Sequence, residues 1–123
     1  MTADLTILPV GGGAHLGTML ADVLKEVRRR GIVYQLTGTT TCLEGTWEQI
    51  METTRSCHEI SRHHAPHIVT LLRIEDDIEG SSGLQANVAA VEKLAGEEFN
   101  SRPPSQTEAP VNAPVTPMVE RPE

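Results

Sequence analysis

Leu16, Met19, Leu20, Val23, Leu24 and Val27 recur at i, i+3, i+4, i+7, i+8 and i+11. That spacing places one apolar stripe along an α-helix. The stripe is bracketed by runs of a different period. Before it, Leu5, Ile7 and Leu8 form a short apolar run that ends at Pro9 and gives way to Gly11, Gly12 and Gly13; this predicts a strand followed by a loop. After it, Arg28, Arg29 and Arg30 occupy the last turn, where cations complement the helix dipole, and Gly31 is a natural stop. Residues 32–36 are β-branched and aromatic, which predicts a second strand. A chain that switches period this way is neither a helical bundle nor an all-β sandwich.

The same logic carries through the rest of the chain. Gly38 makes a turn, and Thr39, Thr40, Thr41, Cys42 and Leu43 read as the returning strand of a hairpin closed by Gly45. Thr46 and Gln49 have the spacing of a capping box. Behind them Trp47, Ile50, Met51, Thr54, Cys57, His58 and Ser61 keep helical spacing up to His63 or His64, before Pro66. Residues 68–74 form the last strand, and Ser82 with Gln85 suggests a second capping box opening a short helix with Leu84, Val88, Val91 and Leu94 on one side. The order β-α-β-β-α-β is the split βαβ plan of the ferredoxin-like α+β fold. Right-handed crossovers then place both long helices on one face of a four-stranded antiparallel sheet, with an extra C-terminal helix. Strand 4 carries Ile68, Leu72 and Ile74 on one face and Val69 and Leu71 on the other. The second face calls for cover, for which the last helix is short and a second copy of the chain is the simplest candidate.

Composition bounds the function. The chain has 123 residues, the scale of one domain. Aromatic residues make up 2%, so the core is aliphatic and a ligand finds few rings to stack on. A formal net charge of −7 argues against nucleic acid, which needs a basic footprint. It suits a cationic small molecule and equally suits plain solubility. No stretch approaches the length of about 18 apolar residues needed to cross a membrane, and no basic segment with an apolar stretch behind it opens the chain, as a secretory signal would. Cys42 and Cys57 have neither metal-site nor redox spacing, so a reduced, cytoplasmic chain is the expectation. From Glu97 onward Pro103, Pro104, Pro110, Pro114, Pro117 and Pro122 accompany five acids and two bases. The expected organisation is a folded domain over residues 1–96 and a disordered acidic, Pro-rich tail over 97–123.

Motifs with chemical content are few. The three glycines precede a helix, but neither dinucleotide nor P-loop spacing follows, so a flexible turn is the better reading. His58, His63, His64 and His67 cluster, yet adjacent helical residues diverge by about 100° and no ligand spacing completes a metal site. Glu75, Asp76, Asp77 and Glu79 lack the pattern of a calcium loop. No nucleophile–base pair stands out. The hairpin is more informative. Three threonines put hydroxyls on both faces of a central strand, where buried hydroxyls need partners. Glu44, at its end, either complements a helix dipole or accepts hydrogen bonds from a ligand.

The segments Leu5-Thr-Ile-Leu-Pro-Val-Gly11, Gly31-Ile-Val-Tyr-Gln-Leu36, Thr39-Thr-Thr-Cys-Leu-Glu-Gly45 and Ile74-Glu-Asp76 resemble the small thiamine-binding protein family over about residues 3 to 95. The resemblance implies stand-alone ferredoxin-like domains assembled as homodimers or homotetramers through paired sheets. It further implies binding of thiamine or its hydroxymethyl-pyrimidine moiety without a reaction, hence no catalytic residue, metal or cofactor. Gln35, Thr41 and Glu44 match the family's polar pattern, with Thr6 and Thr40 as further ligand-binding candidates. The alternative is an oligomeric regulatory or scaffolding module acting through its sheet face and tail.

Overall fold

The computed structural model describes residues 1–11, 16–80 and 83–99. Four strands and three helices follow in the order β1 (Thr2–Pro9), α1 (Leu16–Arg29), β2 (Val33–Leu36), β3 (Thr41–Glu44), α2 (Trp47–His64), β4 (Ile68–Glu75) and α3 (Leu84–Ala95). The sheet has the strand order β2-β3-β1-β4 with every neighbouring pair antiparallel. This is the ferredoxin-like α+β fold that the order of periodicities predicts.

Each element has a local cause. The stripe of α1 buries Met19, Val23 and Val27, and Gly31, at φ +69°, turns the chain out of the helix. That left-handed conformation costs glycine nothing. Helix α2 is headed by the expected capping box. The Gln49 amide donates to Thr46 Oγ1 at 3.2 Å, and the Thr46 amide donates to Gln49 Oε1 at 2.9 Å. Its exit at Ala65 is extended, as the following Pro66 requires.

Three details differ from the sequence reading. The first strand starts at Thr2 and runs through Pro9, since β1 is laddered along its length to β4. Pro9 sits at its last position, the kind of place where a missing N–H is tolerated. In the hairpin, Thr39 and Thr40 belong to the turn and not to β3. The Thr37 hydroxyl accepts the amides of Thr39 and Thr40 at 3.3 and 3.1 Å and donates to the Thr40 carbonyl at 2.9 Å, and the Thr37 amide donates to the same carbonyl. This side-chain-closed turn takes both residues out of the ladder. Helix α3 is headed by Gly83, which has no side-chain cap bond, and not by a capping box at Ser82, which lies outside the described residues.

Alternation along the strands sorts the two faces. Ala3, Leu5, Ile7 and Leu43 point under α1 and α2 and meet Met19, Val23, Val27, Ile50 and Cys57. Burying the valine, leucine, isoleucine and methionine side chains among them stabilises by about 1.5–3 kcal/mol each. The other face carries Thr2, Asp4, Thr6 and Leu8 of β1, Cys42 and Glu44 of β3, and Val69, Leu71, Arg73 and Glu75 of β4. Strand β4 is two-sided as expected. Ile68, Leu72 and Ile74 pack against the core, whereas Val69 and Leu71 are exposed. Helix α3 buries no residue and touches the sheet through β3. The fold therefore leaves most of one sheet face open, and puts its helices over the other.

Candidate functional site

A cavity of about 350 Å³ opens where the β2–β3 hairpin faces the first turns of α1. Leu5 and Ile7 of β1 form its floor, Leu16, Leu20 and Val23 of α1 its roof, and Leu36 of β2 a side wall, with the hairpin threonines at the rim. The position follows from the fold. The core-facing residues of β1 and β3 continue past the end of the well-packed layer, and α1 begins there with Leu16 still partly exposed. The result is an apolar recess with hydroxyls at its edge, the usual make-up of a small-molecule site.

The hydroxyls form a defined set. Thr6 Oγ1 donates to Thr40 Oγ1 at 3.2 Å, and Thr40 Oγ1 donates to the Leu5 carbonyl at 3.0 Å. Thr41, on the core face of β3, is 6% exposed and paired across the ladder with Leu5. Three of the expected ligand-binding residues, Thr6, Thr40 and Thr41, are thus gathered at the cavity.

Glu44 and Gln35 are not. Strand residues rise about 3.3 Å each, so Glu44 stands about 10 Å along β3 from Thr41, and it projects from the opposite face. There its carboxylate lies against Gly83, at the head of α3, where a Cβ would collide with it. A carboxylate beside a helix start without a side-chain cap complements the dipole. The dipole-complementing reading of Glu44 therefore applies to α3 rather than to α2, which follows it in sequence. Gln35 pairs with Cys42 on the same open face, in a row that continues through Asp4 to Arg73. Arg73 grips Asp4 there with both Nε, at 2.9 Å, and Nη2.

Several of the other chemistry-bearing groups have structural partners. His58 Nδ1 is 2.7 Å from Thr70 Oγ1 and His64 Nε2 is 2.8 Å from Asp22 Oδ2, which ties α2 to β4 and to α1. Among the described residues no group of three or more His, Cys, Asp or Glu could hold a metal ion. Asp77 Oδ1 accepts the amides of Glu79 and Gly80 and so closes its own turn. Burial pushes the Cys57 thiol up to about 12, with Glu26 adding to the effect, and burial followed by Asp4 raises that of Cys42. Both thiols are therefore protonated at neutral pH, the opposite of what thiol nucleophiles require. A second recess, of about 310 Å³ between the end of α1 and the start of α2, is lined by Arg29, Arg30 and Glu52. Its cations are taken up by Glu26 and Glu52.

The walls of the cavity are what sequence reasoning missed. Leu16, Leu20 and Leu36 fit the apolar pattern of a core, and nothing in that pattern separates a core position from a cavity wall. Thr37 carried no signal beyond its neighbourhood to Gly38.

Fold and cavity together define a small ferredoxin-like domain with a threonine-rimmed apolar recess. The sequence profile of the thiamine-binding protein family matches residues 3–92, and the chain belongs to that family. It is similar to the UPF0045 protein in the glkA 3′ region of Staphylococcus xylosus, with 31% identity over 103 residues, 79% of this chain and 96% of that one. It is also similar to a UPF0045 protein of Synechocystis, with 26% identity over 90 residues, 72% of this chain and 74% of that one. Among solved structures, a hypothetical protein of Methanocaldococcus jannascii superposes with a TM-score of 0.69 at 17% identity, covering 75% of this chain and 95% of that one. A Thermotoga maritima protein named as a candidate for thiamine biosynthesis or salvage superposes with a TM-score of 0.65 at 19% identity, covering 73% and 96%. At these identities the structural likenesses establish the fold. No helix among the described residues is long and apolar enough to cross a membrane.

Proposed function

We propose that this chain is a non-enzymatic binder of thiamine or of its hydroxymethyl-pyrimidine moiety, and that the ligand sits in the cavity at the hairpin end of the sheet. The observation that carries this reading is a threonine-rimmed apolar recess of ligand size in a member of the thiamine-binding family. In this reading Thr6, Thr40 and Thr41 supply the hydrogen bonds and the leucines of α1 and β2 the contact area. Gln35 and Glu44 lie outside the cavity, on the face available to a second chain. The protein acts as a homodimer or homotetramer in the cytoplasm, where Cys42 and Cys57 remain thiols.

Calorimetric titration with thiamine and with hydroxymethyl-pyrimidine tests the reading. Saturable heat is expected for at least one of them, and no heat for either at millimolar ligand sinks the proposal. Leu36→Trp, at an exposed wall position, is expected to fill the recess and abolish binding while the far-ultraviolet circular dichroism stays native. Unchanged affinity in that variant would move the site elsewhere.

A further inference from the structure

Asp22, Glu26 and Arg30 follow one another at four-residue spacing, which puts them on one face of α1. Each has a partner on α2. Arg30 Nη1 stands 3.8 Å from Glu52 Oε2, Ser56 Oγ donates to Glu26 Oε1 at 2.7 Å, and His64 Nε2 is 2.8 Å from Asp22 Oδ2. The partners run backward along α2, so the two helices are antiparallel. Of the three ties, Asp22–His64 lies nearest the cavity. The other neighbour of Asp22, Lys25 at 3.9 Å, is on the same helix and fixes nothing between the two.

His64 is also the last residue of α2. Residues 16–21 of α1 therefore run on past the end of that helix, by about 9 Å at 1.5 Å per residue. This overhang carries Leu16 and Leu20, two of the three roof residues of the cavity. Met19 holds it down by burial, a contact without direction. A hydrogen bond does have direction, so the one at Asp22 fixes the rotation of α1 where the overhang begins. The floor is tied to the same corner. The Val10 amide, just past the end of β1, donates to the His67 carbonyl at 2.9 Å, and β1 supplies Leu5 and Ile7. Residues 64–67 thus reach the roof through a side chain and the floor through the backbone.

We infer that His64 is a positioning residue for the cavity: through Asp22 it holds the first turns of α1 where Leu16 and Leu20 can close on a ligand. This rests on the binding function proposed above and adds a residue outside the cavity to it, for His64 does not line the recess. A site binds well when its walls are held within about 0.5 Å of the productive geometry. The pair itself is partly exposed, His64 by 25% and Asp22 by 43%, and such pairs contribute little to global stability. Breaking it therefore costs affinity more than it costs folding.

Calorimetry on the full chain, with thiamine and hydroxymethyl-pyrimidine as probes, tests this in three variants. His64→Ala breaks the tie and is expected to weaken whichever probe binds by about fivefold, with Tm lowered by no more than about 5 °C. His64→Gln keeps an N–H donor that reaches Asp22 and is expected to recover most of the affinity. Glu52→Ala breaks the tie at the far end of the same helix pair and is expected to leave affinity unchanged. Amide exchange in His64→Ala is expected to quicken in residues 16–22 and not in residues 23–29. Full affinity in His64→Ala overturns the inference and leaves the binding function standing. An equal loss in Glu52→Ala overturns it too, since the effect would then be general loosening of the helix pair. Failure of both probes to bind the unaltered chain removes the binding function, and the inference with it.

Discussion

At the scale of single residues, stability in this chain turns on how polar atoms are satisfied. Thr54 Oγ1, beneath α2, is buried without a partner. Thr54→Val keeps the β-branched shape and removes the desolvated hydroxyl, so a gain of up to about 1 kcal/mol is expected in chemical denaturation; a loss would mean that the hydroxyl is satisfied in solution. Glu26 is the contrasting case. Its carboxylate accepts Arg29 Nε and Nη2 at 2.8 Å, Ser56 Oγ at 2.7 Å and Arg30 Nε at 3.0 Å. The Arg29 bonds first, then the Ser56 hydroxyl, hold its pKa down to about 2 from 4.5. Because the folded-state value lies below the unfolded one, the stability it contributes is complete above about pH 4.5 and disappears as the pH falls toward 2. Arg29 is 68% exposed, so solvent screening keeps that contribution modest, on the order of 1 kcal/mol. Glu26→Gln is expected to flatten the acid limb of a stability–pH curve; an unchanged limb would assign acid unfolding to other carboxylates. Gly83 is a third residue with a single physical reason. A Cβ there meets the Glu44 carboxylate, so Gly83→Ala is expected to loosen α3 selectively, seen as faster amide exchange in residues 84–95 with β1 and β3 unaffected.

At the scale of elements, most of the structure is legible in the sequence because each element states its own limits. The stripe of α1 ends in arginines and a glycine that must adopt positive φ. The Thr46–Gln49 box satisfies two orphan amides of α2, and Thr46→Ala is expected to cost about 1 kcal/mol in the global unfolding transition. A smaller loss would show that water replaces the cap readily. What could not be read were contacts that sequence spacing does not encode. The turn at Thr37 depends on which of four nearby hydroxyls closes it, and all four have the same composition signal. Glu44 finds its partner in Gly83, far along the chain, so its position next to Thr46 pointed to the wrong helix. The candidate site was legible in the same proportion. The hairpin threonines announced polar groups in a central strand, but alternation then sent Thr41 and Glu44 to opposite faces. The apolar walls stayed hidden because a leucine over a cavity and a leucine over a core obey one pattern.

At the scale of the whole molecule, the sheet has one finished face and one unfinished. Leu8, Val33, Val69 and Leu71 are 43, 38, 39 and 56% exposed around the Asp4–Arg73 pair. Helix α3 does not resolve this, for it buries no residue of its own and leaves Val91 and Leu94 in solvent. An apolar surface around a fixed ion pair is the kind of patch that a second copy covers, with the ion pair setting register. Light scattering is expected to show a dimer or tetramer, and Leu71→Asp, which places a charge in the middle of the patch, is expected to shift the protein to monomers. A monomeric wild-type chain would leave the open face without this explanation. The cavity lies mainly between α1 and the other side of the sheet; Thr6 and Leu8 of the open face reach its edge, and Leu71 does not line it. If one chain completes the site, the monomeric variant keeps most of its ligand affinity, since Leu71 adjoins Thr6 across the ladder but supplies no wall of the cavity. A loss of affinity in step with the loss of assembly would show instead that a second chain finishes the cavity.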